Sequence, residues 1–271
     1  MNVRLTFCAI TVALILSIIY FALMQNAEIR HKKVIIERNP DLSFPKLNTQ
    51  VSSIALGLLS ILITGFIILI NSMLIPKITS PGKTLICLLS LISFAITLLL
   101  TSAFTNSLKV LFGEPRPSFF AICNYYGYNN AIETGNFTYY NNVTISGKFG
   151  NVTNCWGTNA DIKDAFSSFP SGHASLIFSS MTFLSLIFTI YVPIFRTKWI
   201  HICVSIGAYV LACWVAITRV QDYRHRPVDV LAGALLGRFV ALFIWSFIKE
   251  NINNIAKDYM LIETTRNSDR V

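Results

Sequence analysis

The sequence predicts an all-α fold: a six-span transmembrane helical bundle carrying one large outer loop. Three observations predict it. Apolar residues make up 54% of the chain and charged residues only 13%, against about 25% charged in soluble domains. Mean hydropathy is +0.58. Six nearly uncharged runs each approach the ~20 residues that cross a bilayer as a helix. The longest polar stretch between them holds three Asn-x-Thr sequons. This balance excludes a soluble enzyme. The net charge of +9 is scattered over loops and ends, which argues for a membrane protein with no nucleic-acid partner. There is no zinc spacing, P-loop, Gly-rich dinucleotide fingerprint or internal repeat.

In chain order, residues 5–24 form the first run, behind Arg4. A signal peptide is the rival reading, but the run is long for an h-region and no small-x-small cleavage site follows. Residues 25–50 are a polar loop with Pro40 and Pro45. Residues 51–75 are the second span, 76–83 a short basic turn, and 84–108 the third span, ending at Lys109. Residues 113–169 form the outer loop. Residues 174–195, a basic turn at 196–198, 199–217 and 228–247 supply the last three spans. Residues 249–271 read as a polar cytosolic tail. The whole of 1–271 is one membrane-embedded domain.

The sequons, at Asn136, Asn142 and Asn151, fall within residues 136–153. Three in one loop predict a lumenal or extracellular face with glycosylation at these asparagines. The same loop holds Cys123 and Cys155, the two cysteines of six that lie outside the apolar runs. A disulfide between them suits an oxidising compartment; two free thiols are the alternative. Cys8, Cys87, Cys203 and Cys213 read as small apolar residues within spans.

With that loop outside, the termini and the two short basic turns fall inside, as the positive-inside rule expects. The loop at 25–50 dissents, with Arg30, Lys32, Lys33, Arg38 and Lys46 on the outer side. The sequons outweigh it. Three polar blocks then reach one membrane depth on one side. Lys109 and Arg116 follow the third span, Pro170-Ser171-Gly172-His173 opens the fourth, and Arg219, His225 and Asp229 join the fifth to the sixth.

His225 and Asp229 are four apart with Pro227 between them, so they can share a face of a starting helix. A carboxylate behind an imidazole would fix its tautomer and raise its basicity. Ser171 can cap the fourth helix, and Gly172 lets its backbone N–H approach a ligand. A helix N-terminus favours anions, and His173 at its edge can exchange a proton. Lys109, Arg116 and Arg219 add three cations. Such a set suits phosphoryl chemistry, which needs preorganised charge more than anything else. Each residue has a plain alternative: Lys109 as a snorkelling anchor, Arg116-Pro117 as a turn, His173 as a satisfied helix-start histidine, the stretch 218–229 as a basic loop with a capped helix.

Together these blocks carry a resemblance. Lys109, six residues, Arg116-Pro117; Pro170-Ser171-Gly172-His173; and Thr218-Arg219, five residues, His225, three residues, Asp229 resemble, in order, the three motifs of the type 2 phosphatidic acid phosphatase superfamily, and more closely the six-span lipid phosphate phosphatases. Thr218 stands where the family usually has Ser and keeps the hydroxyl. The resemblance runs from about the third span to the sixth; the first two spans and the tail contribute only layout. It implies a phosphatase/haloperoxidase-like helical core and a metal-free hydrolase without cofactors, acting on lipid phosphates such as phosphatidic, lysophosphatidic, ceramide and sphingoid phosphates. His225 would be the nucleophile, Asp229 its orienting partner and His173 the acid and base. Lys109, Arg116, Ser171, Gly172 and Arg219 would hold the phosphoryl oxygens. The competing readings are a lumenal phosphatase for polyprenyl diphosphates or another ester, and a non-catalytic scaffold. No retrieval signal ends the sequence, which favours the plasma membrane; a homo-oligomer is left open.

Other polar residues rank lower. Arg238 lies nine residues past Asp229, about 13 Å deeper along a helix, and reads as a bundle-facing partner for polar groups or as snorkelling inward. His201 is at the far end of the fifth span. His31 lies in the basic loop. Arg224 and Arg226 flank His225.

Overall fold

The computed structural model of the chain describes residues 3–25, 27, 35–75, 78–195 and 198–268. Among the described residues six helices are long and apolar enough to cross a membrane, which makes the chain an integral multi-pass membrane protein. They are α1 (Val3–Gln25), α2 (Ser53–Leu74), α3 (Ser80–Phe112), α8 (Gly172–Phe195), α9 (Lys198–Gln221) and α10 (Pro227–Ser268). Between α3 and α8 lie four short helices: α4 (Phe119–Cys123), α5 (Tyr128–Thr134), α6 (Thr138–Val143) and α7 (Asn159–Ala165). His31, Arg30, Lys32 and Lys33 of the basic loop fall outside the described residues.

Local chemistry sets the helix ends. Ser52 caps α2 by accepting the Ala55 N–H. Pro81 sits in the first turn of α3, where its missing N–H costs nothing. Gly113 ends α3 in the left-handed region at φ 52° and donates its N–H to the Lys109 carbonyl, a conformation that glycine adopts without penalty. Pro227 starts α10, with Asp229 in the first turn beside the exposed N–H groups.

Helix α8 is the centre of the bundle and packs against α2, α3, α9 and α10; α1 packs on α3. Ile177, Met181, Phe183, Leu184 and Ile187 of α8 are buried, while Ile15, Leu16 and Leu23 of α1 and Leu231, Leu235 and Phe239 of α10 are exposed, as lipid-facing residues would be. Hydroxyls tie the helices together in the apolar interior: Thr64 to Ser180, Ser180 to the Ser60 carbonyl, and Thr105 to Ser175. Gly233 and Gly237 of α10 lie so close to α8 that a Cβ on either would run into the carbonyls of Ser171 and Ser175.

Several boundaries differ from the sequence reading, and α3 and α9 each end four residues later than expected. Helix α3 begins four residues before the expected span. Helix α10 does not stop at Phe247 but continues to Ser268, through most of the stretch read as a tail. The reason is a stripe that polarity concealed. Ile248, Ile252, Ile255, Ala256 and Tyr259 repeat at helical spacing and join the bundle core, and Tyr259 lies against Gly82 at the start of α3.

Residues 113–171 fold into a cap over one end of the bundle. Its own core is aromatic: Phe119, Phe120, Tyr125, Tyr128, Tyr140 and Phe166 are buried together. Cys123 and Cys155 are bonded within it. The α1–α2 loop belongs to the cap as well. Its strand β1 (Ile35–Ile36) pairs antiparallel with β2 (Phe149–Gly150), and buried Glu37 accepts from the Tyr125 hydroxyl and the Ile145 N–H. Asn136, Asn142 and Asn151 are all exposed on this cap.

Candidate active site

The three polar blocks meet where the cap joins the bundle. Helix α3 brings Lys109 in its last turn; its Nζ lies 3.7 Å from where a Cβ on Gly172 would stand. The loop after α3 turns Arg116 inward. Its Nε donates to the Asp164 carbonyl at 2.8 Å, its Nη2 pairs with Asp164 Oδ1 at 2.8 Å, and its Nη1 donates to the Arg224 carbonyl at 3.1 Å. The third face of the same guanidinium, Nη1, is 3.4 Å from Nε2 of His225.

His225 is held from behind. Its Nδ1 donates to the Ser168 carbonyl at 2.7 Å. A carbonyl can only accept, so the ring carries its proton on Nδ1 and its lone pair on Nε2. Burial, then the charges of Arg116 and Lys109, push the His225 pKa well below the usual 6.5. The imidazole therefore stays neutral at physiological pH, with Nε2 directed toward Arg116.

Asp229 does not contact this ring as the four-residue spacing led us to expect. Its carboxylate accepts from Ser168 Oγ at 2.6 Å and from the Arg226 N–H at 2.9 Å. Ser168 stands between the two residues, its hydroxyl on Asp229 and its carbonyl on His225. The cause is the turn before α10. Residues 224 and 225 fold back so that both N–H groups reach the Arg219 carbonyl, which swings the His225 ring away from the Asp229 side chain and over the cap segment.

Arg219, in the last turn of α9, is 1% exposed. Its Nη2 binds Asp222 Oδ2 at 2.9 Å and Thr218 Oγ1 at 2.9 Å. The hydroxyl at Thr218 thus orients the guanidinium. Ser171 is buried and donates its N–H to the Asp229 carbonyl, tying α8 to α10. His173 is one residue into α8, and its Nε2 donates to the Val51 carbonyl at 3.1 Å.

Sequence reasoning missed Ser168, Asp164, Asp222, Gln50 and Val51. Asp222 had a local signal, three residues from Arg219 and one residue past the end of α9. The others come from the cap and the first loop, and only folding brings them near. The residues ranked low stay apart from the site or at its rim. Arg238, expected as a bundle-facing partner for polar groups or as snorkelling inward, is exposed and lies over the Tyr209 ring at 5.8 Å, a cation–π contact. His201 donates to the Ser185 carbonyl. Arg224 pairs with Asp164, and Arg226 with Glu114.

Two cavities reach this cluster. One, of about 320 Å³, runs between α1, α2, α3 and α8 from Gly172 and His173 past Leu56, Gly57, Leu98 and Leu176 to Ile61. The other, of about 120 Å³, is polar and opens beside Lys109, Asn106, Lys163 and Asp164. Among the described residues no cluster of three or more His, Cys, Asp or Glu has the arrangement of a metal site.

The chain is 34% identical to Lipid phosphate phosphatase 1 of Arabidopsis thaliana over 158 residues, which is 58% of this chain and 43% of that protein. It is 27% identical to Lipid phosphate phosphatase 2 of the same plant over 86% of this chain and 73% of the relative. It is 28% identical to Probable diacylglycerol pyrophosphate phosphatase 1 of Schizosaccharomyces pombe over 58% of this chain and 52% of that protein. It therefore spans about half the length of two of these three relatives. No solved structure matches it. Residues 84–253 match the PAP2 superfamily, and since that stretch is well over half of the chain and holds all three motifs, the chain belongs to the PAP2 superfamily, as the motif resemblance predicted.

Proposed function

We propose that this protein is an integral-membrane, metal-independent phosphatase that removes phosphate from lipid phosphates. The observation that carries the reading is the His225 ring, neutral, proton on Nδ1, with its Nε2 lone pair facing the Arg116 guanidinium. A phosphoryl group drawn to Arg116 would meet a nucleophile already in the correct tautomer.

The steps follow from that placement. Nε2 of His225 attacks phosphorus while the P–O bond to the lipid breaks, giving a phosphohistidine. His173 gives its Nδ1 proton to the departing alkoxide, its Nε2–H remaining on the Val51 carbonyl. It then takes a proton from water as that water attacks phosphorus, the N–P bond breaks, and phosphate leaves. Lys109, Arg116, Arg219, Ser171 and the Gly172 amide hold the phosphoryl oxygens; these three cations supply the charge that a metal ion supplies elsewhere. Asp229 acts on His225 through Ser168.

Lipid as substrate is supported by the apolar cavity that begins at His173 and by the names of the relatives. One relative is named for a lipid diphosphate, so diphosphates belong in the substrate range to be assayed beside phosphatidic, lysophosphatidic, ceramide and sphingoid phosphates. The exposed sequon asparagines support glycosylation of the cap and an extracellular or lumenal active site, with both termini cytosolic.

The test is phosphate release from phosphatidic acid in detergent micelles with excess EDTA. Turnover that resists EDTA and disappears in His225→Ala is the expected result. A folded wild type that releases no phosphate from any of these lipids would overturn the reading, and turnover abolished by EDTA would overturn the metal-free mechanism.

A further inference from the structure

We infer that Gln50 and Val51, at the end of the α1–α2 loop, form a positioning strap that holds Arg219 and His173 in their working geometry. This segment lies outside the stretch that matches the superfamily, residues 84–253, and in sequence it reads as the last loop residue and the first residue of a span. The structure puts it on the site at four points.

The Gln50 N–H donates to Asp222 Oδ2 at 3.1 Å, and Gln50 Nε2 donates to Asp222 Oδ1 at 3.0 Å and to Gln221 Oε1 at 3.2 Å. The next carbonyl, that of Val51, accepts from His173 Nε2 at 3.1 Å. Asp222 is itself 2% exposed and carries Arg219 on Oδ2. A buried carboxylate with one cation and no other donors would be poorly solvated and free to turn about its terminal bond. Gln50 supplies a donor to each oxygen, locks the carboxylate plane, and so locks the guanidinium that shares it.

The two contacts act on both sides of the reaction. Because the Val51 carbonyl only accepts, it keeps a proton on His173 Nε2 and leaves Nδ1 to exchange one with the substrate. The same carbonyl stabilises the imidazolium when that ring is doubly protonated. The strap is anchored rather than loose. Val51 is buried in the bundle core, Ser52 caps α2, and upstream Phe44 stacks on Tyr223 of the motif loop with ring centroids 4.6 Å apart. One rigid peptide therefore sets the spacing between an oxyanion holder and a proton donor that belong to different helices, α9 and α8.

This inference rests on the reading of Arg219 as a holder of phosphoryl oxygens, so the test includes a probe independent of turnover. Orthovanadate, a tetrahedral oxyanion, is titrated calorimetrically into the full-length chain in detergent, for wild type, Gln50→Ala and Gln50→Lys, with kcat and KM for a lipid phosphate measured in parallel. Gln50→Ala is expected to weaken orthovanadate binding and lower kcat by about tenfold each, the scale of one hydrogen bond to a charged group, with KM within about twofold and the unfolding midpoint unchanged. Gln50→Lys restores a donor to Asp222 and is expected to recover most of both. If Gln50→Ala binds orthovanadate and turns over like wild type, or if Lys at this position gives no recovery, the strap is overturned. A wild type that binds no orthovanadate overturns it as well. Orthovanadate binding that depends on Gln50 in a protein without lipid phosphatase activity would keep the strap and discard the proposed function.

Discussion

The Nδ1 of His225 lies 2.7 Å from the carbonyl oxygen of Ser168, and the hydroxyl of the same serine lies 2.6 Å from Asp229. One residue of the cap therefore stands between the two motif residues that the sequence pairs directly. The hydroxyl fixes where the serine sits, and the carbonyl fixes which nitrogen of the imidazole is free.

Ser168→Ala keeps the carbonyl and loses the hydroxyl. It leaves a buried carboxylate with one donor fewer and lets the carbonyl drift. We expect kcat to fall by about tenfold, matching a hydrogen bond to a charged group, with Asp229→Asn at least as severe. Steady-state kinetics on phosphatidic acid check this. An unchanged kcat in Ser168→Ala would mean that Asp229 has no path to His225.

The depressed His225 pKa sets a pH dependence. The fold favours the neutral ring, so under the proposed mechanism the attacking nitrogen persists below pH 6.5, and the acid limb of kcat/KM is expected well under that value. The unfolded chain takes up this proton near pH 6.5 and the folded chain does not, so the fold loses stability as pH falls through and below 6.5. A kcat/KM profile from pH 4 to 8 and unfolding midpoints across the same range test both signs. An acid limb at or above 6.5 would contradict the buried cationic surroundings seen here.

Asp164 holds two guanidiniums at once, Arg116 at 2.8 Å and Arg224 at 3.1 Å. Arg116→Lys cannot keep both the Asp164 fork and the approach to Nε2 of His225. We expect a loss of about 100-fold in kcat/KM for Arg116→Lys and about tenfold for Asp164→Asn, the scale of charge-assisted hydrogen bonds. Equal activity of Lys and Arg at position 116 would show that only charge matters there.

Gly57 faces open space on the wall of the apolar cavity, with no atom within 4 Å of an added Cβ. Gly57→Phe should fill the cavity without straining α2. Long-chain substrates should then lose about tenfold in kcat/KM, the worth of about two buried methylenes, while short-chain phosphates keep their rate. A chain-length series on both proteins reads this out, and parallel curves would place the lipid chain elsewhere.

At Gly237 an added Cβ meets the Ser175 backbone, which cannot yield as a flexible side chain can. Gly237→Ala is expected to lower stability by about 3 kcal/mol, the upper part of the usual overpacking range, seen as an earlier thermal unfolding in detergent. A wild-type midpoint would show that α8 and α10 can separate at little cost.

The six spans and the three motif blocks were legible because their signals are local. A bilayer-length apolar run needs only composition. Lys109, Arg116, His173, Arg219, His225 and Asp229 stand at helix ends whose start and stop residues, Gly113, Pro227 and the Gly172 turn, lie beside them in the chain. The continuation of α10 was hidden for the opposite reason: Ile248, Ile252, Ile255 and Tyr259 form a stripe within a stretch whose mean character is polar.

By itself the sequence determined the bundle, the family and the identity of the groups that converge. Periodicity, length and motif spacing are properties of contiguous residues and survive without coordinates. Only the tertiary structure decided the partners: Ser168 behind His225, Asp164 on Arg116, Gln50 and Val51 on Asp222 and His173. These contacts join residues up to 172 positions apart, and they depend on how the cap settles on the bundle. A hydrogen bond of 2.7 Å is set by the relative placement of whole helices, and no local pattern in the chain encodes that distance.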